Sequence, residues 1–141
     1  MGTILVRILG FVFTFVLFGA LLEATGGSKS FIDFAFALTG KSRAGPAKAA
    51  VLSSGLMGMI SGSSLANVIG TGTFTIPLMK TVGYPPEFAG GVEAAASSGG
   101  QIAPPVMGAA AFIMAEFLNI PYNKLIIYAA LPALLYFLSV G

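Results

Sequence analysis

Cysteine, histidine and tryptophan are absent from the 141 residues, and only 9% of the chain is charged. No cysteine means no disulfide framework, no thiolate metal site and no thiol nucleophile. No histidine removes the commonest general base and the commonest transition-metal ligand. A soluble domain carries about 25% charged residues, and a chain this poor in charge has no means of covering its surface in water. With 56% hydrophobic residues, the apolar stretches are expected to face lipid. The net charge is +2 and the basic residues are scattered, which leaves no footprint for nucleic acid.

What is present is an all-α pattern of apolar stretches broken by glycine, serine and proline. Residues 3–22 (TILVRILGFVFTFVLFGALL) form one uninterrupted run. Twenty helical residues reach about 30 Å, the thickness of the hydrocarbon layer, so this run is expected to cross it. Its one charge, Arg7, lies in the first turns and can snorkel to the headgroups. The alternative of a cleaved signal peptide wants a positive charge before the run and a small-x-small site after it. Residues 30–40 are too short to cross; Phe31, Phe34, Phe36 and Leu38 against Asp33 point to a helix lying in the interface. Gly40 is the expected stop, followed by a polar loop with Lys41, Ser42, Arg43 and Gly45.

Beyond Pro46 the pattern changes. Residues 47–60 and 65–79 are apolar but each too short to span, and Ser61-Gly62-Ser63-Ser64 separates them. Residues 46–80 therefore read as a re-entrant helical hairpin that enters and leaves on one side. After the turn at Tyr84-Pro85-Pro86, residues 87–118 form a helix of small residues interrupted at Gly99-Gly100-Gln101-Ile102-Ala103-Pro104-Pro105. Lipid leaves the backbone polar groups of such a break unsatisfied; protein, water or an ion must take them up. Residues 121–138 give a final span with Pro132 as a kink position. The whole is expected to be one transmembrane domain. On this topology Lys29, Lys41, Arg43, Lys48 and Lys80, five of the seven Lys and Arg, share the cytoplasmic side.

Two breaks rich in glycine, serine and proline, Ser61 to Asn67 and Ser97 to Pro105, carry the candidate chemistry. They offer hydroxyls, carbonyls and the amides of Asn67 and Gln101, with no carboxylate in the motifs themselves. Such oxygens suit a weakly held hard cation. Helix halves meeting at a break aim carbonyls at a cation and N–H groups at an anion, as in ion-coupled carriers. The competing reading is close helix packing, with Gly58 and Gly62 as a GxxxG pair. Glu93, a carboxylate inside an apolar helix, is a functional candidate with a cavity-facing or near-interface role as its alternative. Glu23, Glu87 and Glu116 fall near helix ends, where solvation is expected. Gly40-Lys41-Ser42 lacks the glycine that a phosphate loop requires at position 35, which is alanine. No nucleophile has a base partner, and no enzyme is expected.

The run GMISGSSLANVIGTGTFTIPLMKTVGYPPEFAGGVEAAASSGGQIAPPVMGAAAFIMAEF, residues 58–117, resembles the large membrane subunit of TRAP transporters. Within that family it is most similar to the fused form that works with TAXI-type binding proteins. The preceding FGALLEATGGSKSFIDFAFALTGKSRAGPAKAAV fits the same pattern. The resemblance implies an all-α polytopic protein of the bacterial inner membrane, one repeat of an elevator-type transporter. It implies sodium-coupled import of organic acids, sodium being the coupling ion and no other cofactor being required. The implied partners are a TAXI-type periplasmic substrate-binding protein, the small membrane subunit or its fused equivalent, and the remainder of the permease. On the resemblance, Ser61 helps bind sodium opposite Gly100, Ala103 and Pro105, mostly through backbone carbonyls. Ser63, Ser64, Asn67 and Gln101 shape the hairpin tip or touch substrate. Such subunits have a second hairpin and a second broken helix, so the chain is expected to be a fragment or a truncated product. A self-associating membrane protein and an oligomeric channel are the alternatives to a carrier.

Overall fold

The computed structural model describes residues 2–39 and 44–141. The expected stop at Gly40 and the loop residues Lys41, Ser42 and Arg43 lie outside the described residues. Helix α1, Gly2–Ala24, is the uninterrupted apolar run. Leu5, Val6, Leu9, Phe13 and Leu21 are exposed along it, and Gly19 is its buried residue. Gly19 is glycine for space: a Cβ there would sit 3.1 Å from the Ser61 Cα.

Gly26, at φ +86, turns the chain without steric cost, and helix α2, Gly27–Thr39, starts at once. That is earlier than the hydrophobic pattern places it, because the positive φ at Gly26 ends α1 and frees Gly27 to begin a new helix. Ser28, Ile32 and Ala35 form the buried stripe of α2, packed chiefly on helix α3.

Helix α3, Gly45–Ser61, opens with Pro46 in its first turn, where a missing N–H costs nothing. It closes at Gly62, φ +63, whose N–H bonds the Gly58 carbonyl at 2.9 Å. Ser63 then caps helix α4, Ser64–Thr81, its hydroxyl accepting from the Ala66 N–H at 3.3 Å. The two helices form a hairpin with Gly62 and Ser63 at its tip. Helix α5, Pro86–Gly100, again begins on proline and carries Glu87 in its first turn. It continues through Gly99 and Gly100, residues that read locally as breakers, and stops before Pro104 and Pro105, which have no N–H to continue it. Residues 101–108 are irregular, helix α6 is Ala109–Phe117, and helix α7 is Tyr122–Val140 with Pro132 inside.

Helices α3, α4 and α5 pack mutually, with α2 on α3 and α7 on α5. Their contacts are built from small residues: Ala49, Ala50, Gly55, Ala89, Ala96 and Gly100 are buried. A second apolar cluster of Met107, Ala111, Ala115 and Leu125 joins α6 to α7. Phe11 and Phe15 of α1 stack on Phe112, which stacks on Tyr122 at 4.5 Å. Of these helices, α1 and α7 are long and apolar enough to cross a membrane.

Candidate functional site

Helix ends converge where the hairpin tip meets the irregular segment. The Met59 carbonyl accepts the Val106 N–H at 3.2 Å, tying the two together across 47 positions of sequence. At the neighbouring residue, α3 and α5 touch backbone to backbone: a Cβ on Gly58 would lie 2.7 Å from the Gly100 Cα. Gly58 thus serves close packing, while Gly62 serves the turn, where its φ of +63 excludes most side chains.

Beside this junction lies a cleft of about 350 Å³. Ser61, Ser63, Ser64 and Gln101 line it, with Val12, Phe15 and Phe112 among its apolar walls. The N-termini of α4 and α6 and the C-terminal ends of α3 and α5 border it. Backbone N–H groups at the former favour negative charge, and carbonyls at the latter favour positive charge. The Ser61 hydroxyl engages the tip, 3.4 Å from the Ser63 N–H and 3.5 Å from its carbonyl. At the break, the Gly100 carbonyl accepts the Ala103 N–H at 3.2 Å, and the Gln101 carbonyl accepts the Gly108 N–H at 2.7 Å. The Tyr122 hydroxyl donates to the Val106 carbonyl and lies 3.4 Å from that of Pro105.

The cleft therefore gathers Ser61, Ser63, Ser64 and Gln101, and the other expected site residues lie outside its lining. Gly100 packs on Gly58, Ala103 is buried, and Pro105 is exposed. Asn67 points into the hairpin instead. Its Nδ2 donates to the Ser54 carbonyl at 2.6 Å and lies 2.9 Å from Ser54 Oγ and 3.1 Å from Ser97 Oγ.

Asn67 belongs to a polar seam that the sequence motifs did not bring together. Asn67, Thr71 and Thr75 follow one another every fourth residue on α4, so they share a face. Glu93 and Ser97 do the same on α5, and Ser54 comes from α3. Glu93 is fully buried. Thr71 Oγ1 lies 2.5 Å from Glu93 Oε1, Thr75 Oγ1 lies 2.5 Å from Oε2, and Ser97 Oγ lies 3.3 Å from Oε1. Ser54 and Ser97 hydroxyls are 2.8 Å apart. The fourfold spacing on α4 was the available signal for this seam. Glu23 is not simply solvated either: its carboxylate lies against Gly70 of α4.

A hairpin and an irregular segment packed from small residues, with helix ends converging on a serine-bearing cleft, are the kind of arrangement that helical membrane transporters use. The comparisons give the family. The model for "Tripartite ATP-independent periplasmic transporter, DctM component" matches residues 1–140, and the chain belongs to that family. The family is one of transporter permeases, not of enzymes. The chain is 36% identical over 121 residues to the C4-dicarboxylate TRAP transporter large permease protein DctM of Pseudomonas aeruginosa, covering 86% of the chain and 28% of the relative. It is 34% identical over 100 residues to the 2,3-diketo-L-gulonate TRAP transporter large permease protein YiaN of Escherichia coli, covering 71% and 23%. The sialic acid TRAP transporter large permease protein SiaM of Vibrio cholerae is 31% identical over 121 residues, covering 86% and 28%. The chain thus spans less than a third of the length of these relatives. No solved structure matches it significantly.

Proposed function

We propose that the chain is part of a sodium-coupled TRAP permease that imports organic acids across a bacterial inner membrane as a multi-pass protein. Its partners in this reading are a TAXI-type periplasmic binding protein, the small membrane subunit or its fused equivalent, and the remaining repeat of the permease. The observation that carries the reading is the cleft between the hairpin tip and the break, found in a chain of this family. Carbonyl ends of α3 and α5 suit a sodium ion; N–H ends of α4 and α6 suit a carboxylate. Ser61 stands at the carbonyl end of α3 and belongs to the ion; Gly100, Ala103 and Pro105, which lie outside the cleft lining, would reach it through backbone oxygens of the break. Ser63, Ser64 and Gln101 line the substrate side, and Asn67 holds the hairpin that carries the tip. The relatives' names, which specify C4-dicarboxylate, diketogulonate and sialic acid, support an acidic substrate class. In this reading α3–α4 is a re-entrant hairpin opening from the cytoplasm, and the chain is one repeat of an elevator.

The test is thermal unfolding of the purified chain, and of a full-length permease containing it, in sodium or potassium chloride. Ion binding to the folded state stabilises by mass action, about 2.7 kcal/mol at a hundredfold excess over Kd. A sodium-specific rise that is lost in Ser61→Ala is the expected outcome. Equal midpoints in both salts, for chain and full-length protein alike, would refute the sodium reading. Ser61→Ala is preferred to substitution of Gly100, because a side chain at Gly100 collides with the α3 backbone whatever the ion does.

A further inference from the structure

We propose that the face of the protein between α3 and α7 holds one anionic phospholipid, its two acyl chains in a pair of adjoining apolar grooves and its phosphate at Lys48. The site requires only that the protein sit in a bilayer; neither sodium coupling nor the substrate bears on it.

The first groove has a volume of about 300 Å³. Its floor on α3 is Lys48, Val51, Leu52, Gly55, Leu56 and Met59, positions that recur at helical spacing and so share one face. Phe137 of α7 is the opposite wall, so close to Gly55 that a Cβ there would lie 2.9 Å from the ring. Lys48 is the one charged residue among them and stands at one end of the face, near the start of α3. A second groove, of about 170 Å³, adjoins the first along Lys48 and Val51 and is walled by Tyr84, Phe88 and Val92. Two apolar channels meeting at one cation match a ligand with two hydrocarbon chains and one anionic head.

Length and width decide what the first groove fits. From Lys48 to Met59 α3 rises about 16 Å, and half of the hydrocarbon layer is about 15 Å. With α3 upright in the bilayer, the groove is as long as one leaflet is deep. A volume of about 300 Å³ over about 16 Å leaves a mean cross-section of about 20 Å², against about 80 Å² for a helix 10 Å across. A single hydrocarbon chain has that width, and a helix does not enter.

Charge decides which lipid. Lys48 is exposed at the polar end, and among the described residues no carboxylate lines either groove. Its apolar stem can lie along the groove while the ammonium reaches the phosphate level. Tyr84, stacked on Phe88 at 5.3 Å, sets at the same end a ring of the kind that membrane interfaces favour. A lysine beside an anionic headgroup strengthens binding about fivefold. A zwitterionic headgroup carries its own cation and loses most of that gain.

The chain has no tryptophan, so Leu52→Trp sets a single fluorescent reporter on the floor of the first groove. Phe13→Trp, on the exposed face of α1, reports bulk lipid. Each variant is reconstituted in phosphatidylcholine vesicles with a minor fraction of lipid brominated on its acyl chains, either phosphatidylglycerol or phosphatidylcholine. At low salt, brominated phosphatidylglycerol is expected to quench the Leu52→Trp reporter at about one-fifth the concentration that brominated phosphatidylcholine needs. The Phe13→Trp reporter is expected not to distinguish the two, and adding Lys48→Gln to Leu52→Trp is expected to abolish the preference. Equal quenching by the two lipids with Lys48 in place would overturn the proposal. So would a Leu52→Trp reporter that neither lipid quenches, since protein, a second copy or the rest of the permease, would then cover the groove. Should Leu52→Trp not fold as judged by circular dichroism, native mass spectrometry of the unaltered chain and of Lys48→Gln counts retained phosphatidylglycerol directly. One molecule held by the unaltered chain and lost from Lys48→Gln is the expected result, and equal retention would overturn the proposal.

Discussion

Substituting Gly100 by alanine tests the packing on which the whole junction stands. The new Cβ would lie 2.5 Å from the Gly58 Cα, 2.9 Å from the Gly58 carbonyl carbon and 3.4 Å from the Met59 nitrogen. Carbon atoms in ordinary contact are about 3.5 to 4.0 Å apart, so α3 and α5 must separate by about 1 Å. All three obstructing atoms are backbone, and no rotamer relieves them. Overpacking costs about 1 to 3 kcal/mol. The upper end applies here, because separation also lengthens the bonds that Ser97 makes to Ser54 and Asn67 across the same interface. Gly91→Ala is the control: it lies in the same helix with nothing within 4 Å of its Cβ, and gains about 0.5 to 1 kcal/mol of helix propensity. Any propensity gain is common to both helical positions, so the two single-methyl variants should differ by the overpacking cost, about 3 kcal/mol, or about a hundredfold in the folding equilibrium. Reversible unfolding in mixed detergent micelles, followed by helical circular dichroism, measures that difference. A Gly100→Ala protein as stable as Gly91→Ala would refute the close approach of α3 and α5.

Two further substitutions test the tip and the seam. Gly62→Ala places a side chain at φ +63, which costs about 1 to 2 kcal/mol, and aims its Cβ at the Met107 carbonyl. The same micelle titration should show at least that loss, and an unchanged midpoint would remove the left-handed turn from the account. Asn67→Ala deletes the donor to the buried Ser54 carbonyl and should cost about 1 to 3 kcal/mol. Faster amide exchange across 54–58 is the expected companion, and unaltered exchange there would mean that Asn67 does not hold the hairpin.

Some of this was legible in the sequence. The long run of α1 admits one reading, and the serine-rich tip and the proline pair at 104–105 announce themselves as interruptions of an apolar pattern. The start of α2 was not legible, since nothing in Thr25-Gly26-Gly27 says which glycine takes the positive φ. The end of α5 was misjudged for a tertiary reason. Gly99 and Gly100 look like breakers, yet they stay helical because the space above them belongs to Tyr136 and Gly58. The serines of the tip and Gln101 could be named because they stand in the breaks. Ser54, Thr71 and Thr75 could not, because small polar residues inside helices look alike until a buried carboxylate is placed among them. The fourfold spacing on α4 and α5 marks a face, and only the fold shows that the faces meet.

That meeting bears on how the protein enters its membrane. Helices α1 and α7 are long and apolar enough to cross a membrane, whereas α3 and α5, at 17 and 15 residues, are short for a crossing on their own. A lone α5 would carry the Glu93 carboxylate into hydrocarbon with Ser97 as its one side-chain partner, and a lone α4 would carry the Asn67 amide unpaired, while Thr71 and Thr75 fall back on carbonyls of their own helix. Pressed together they hide one another's polar atoms and present Leu52, Leu65, Ile69, Phe74 and Phe88 outward. The polar atoms of this stretch are hidden only when all three helices are together, so its partition into a membrane is expected to require α5 as well as the hairpin.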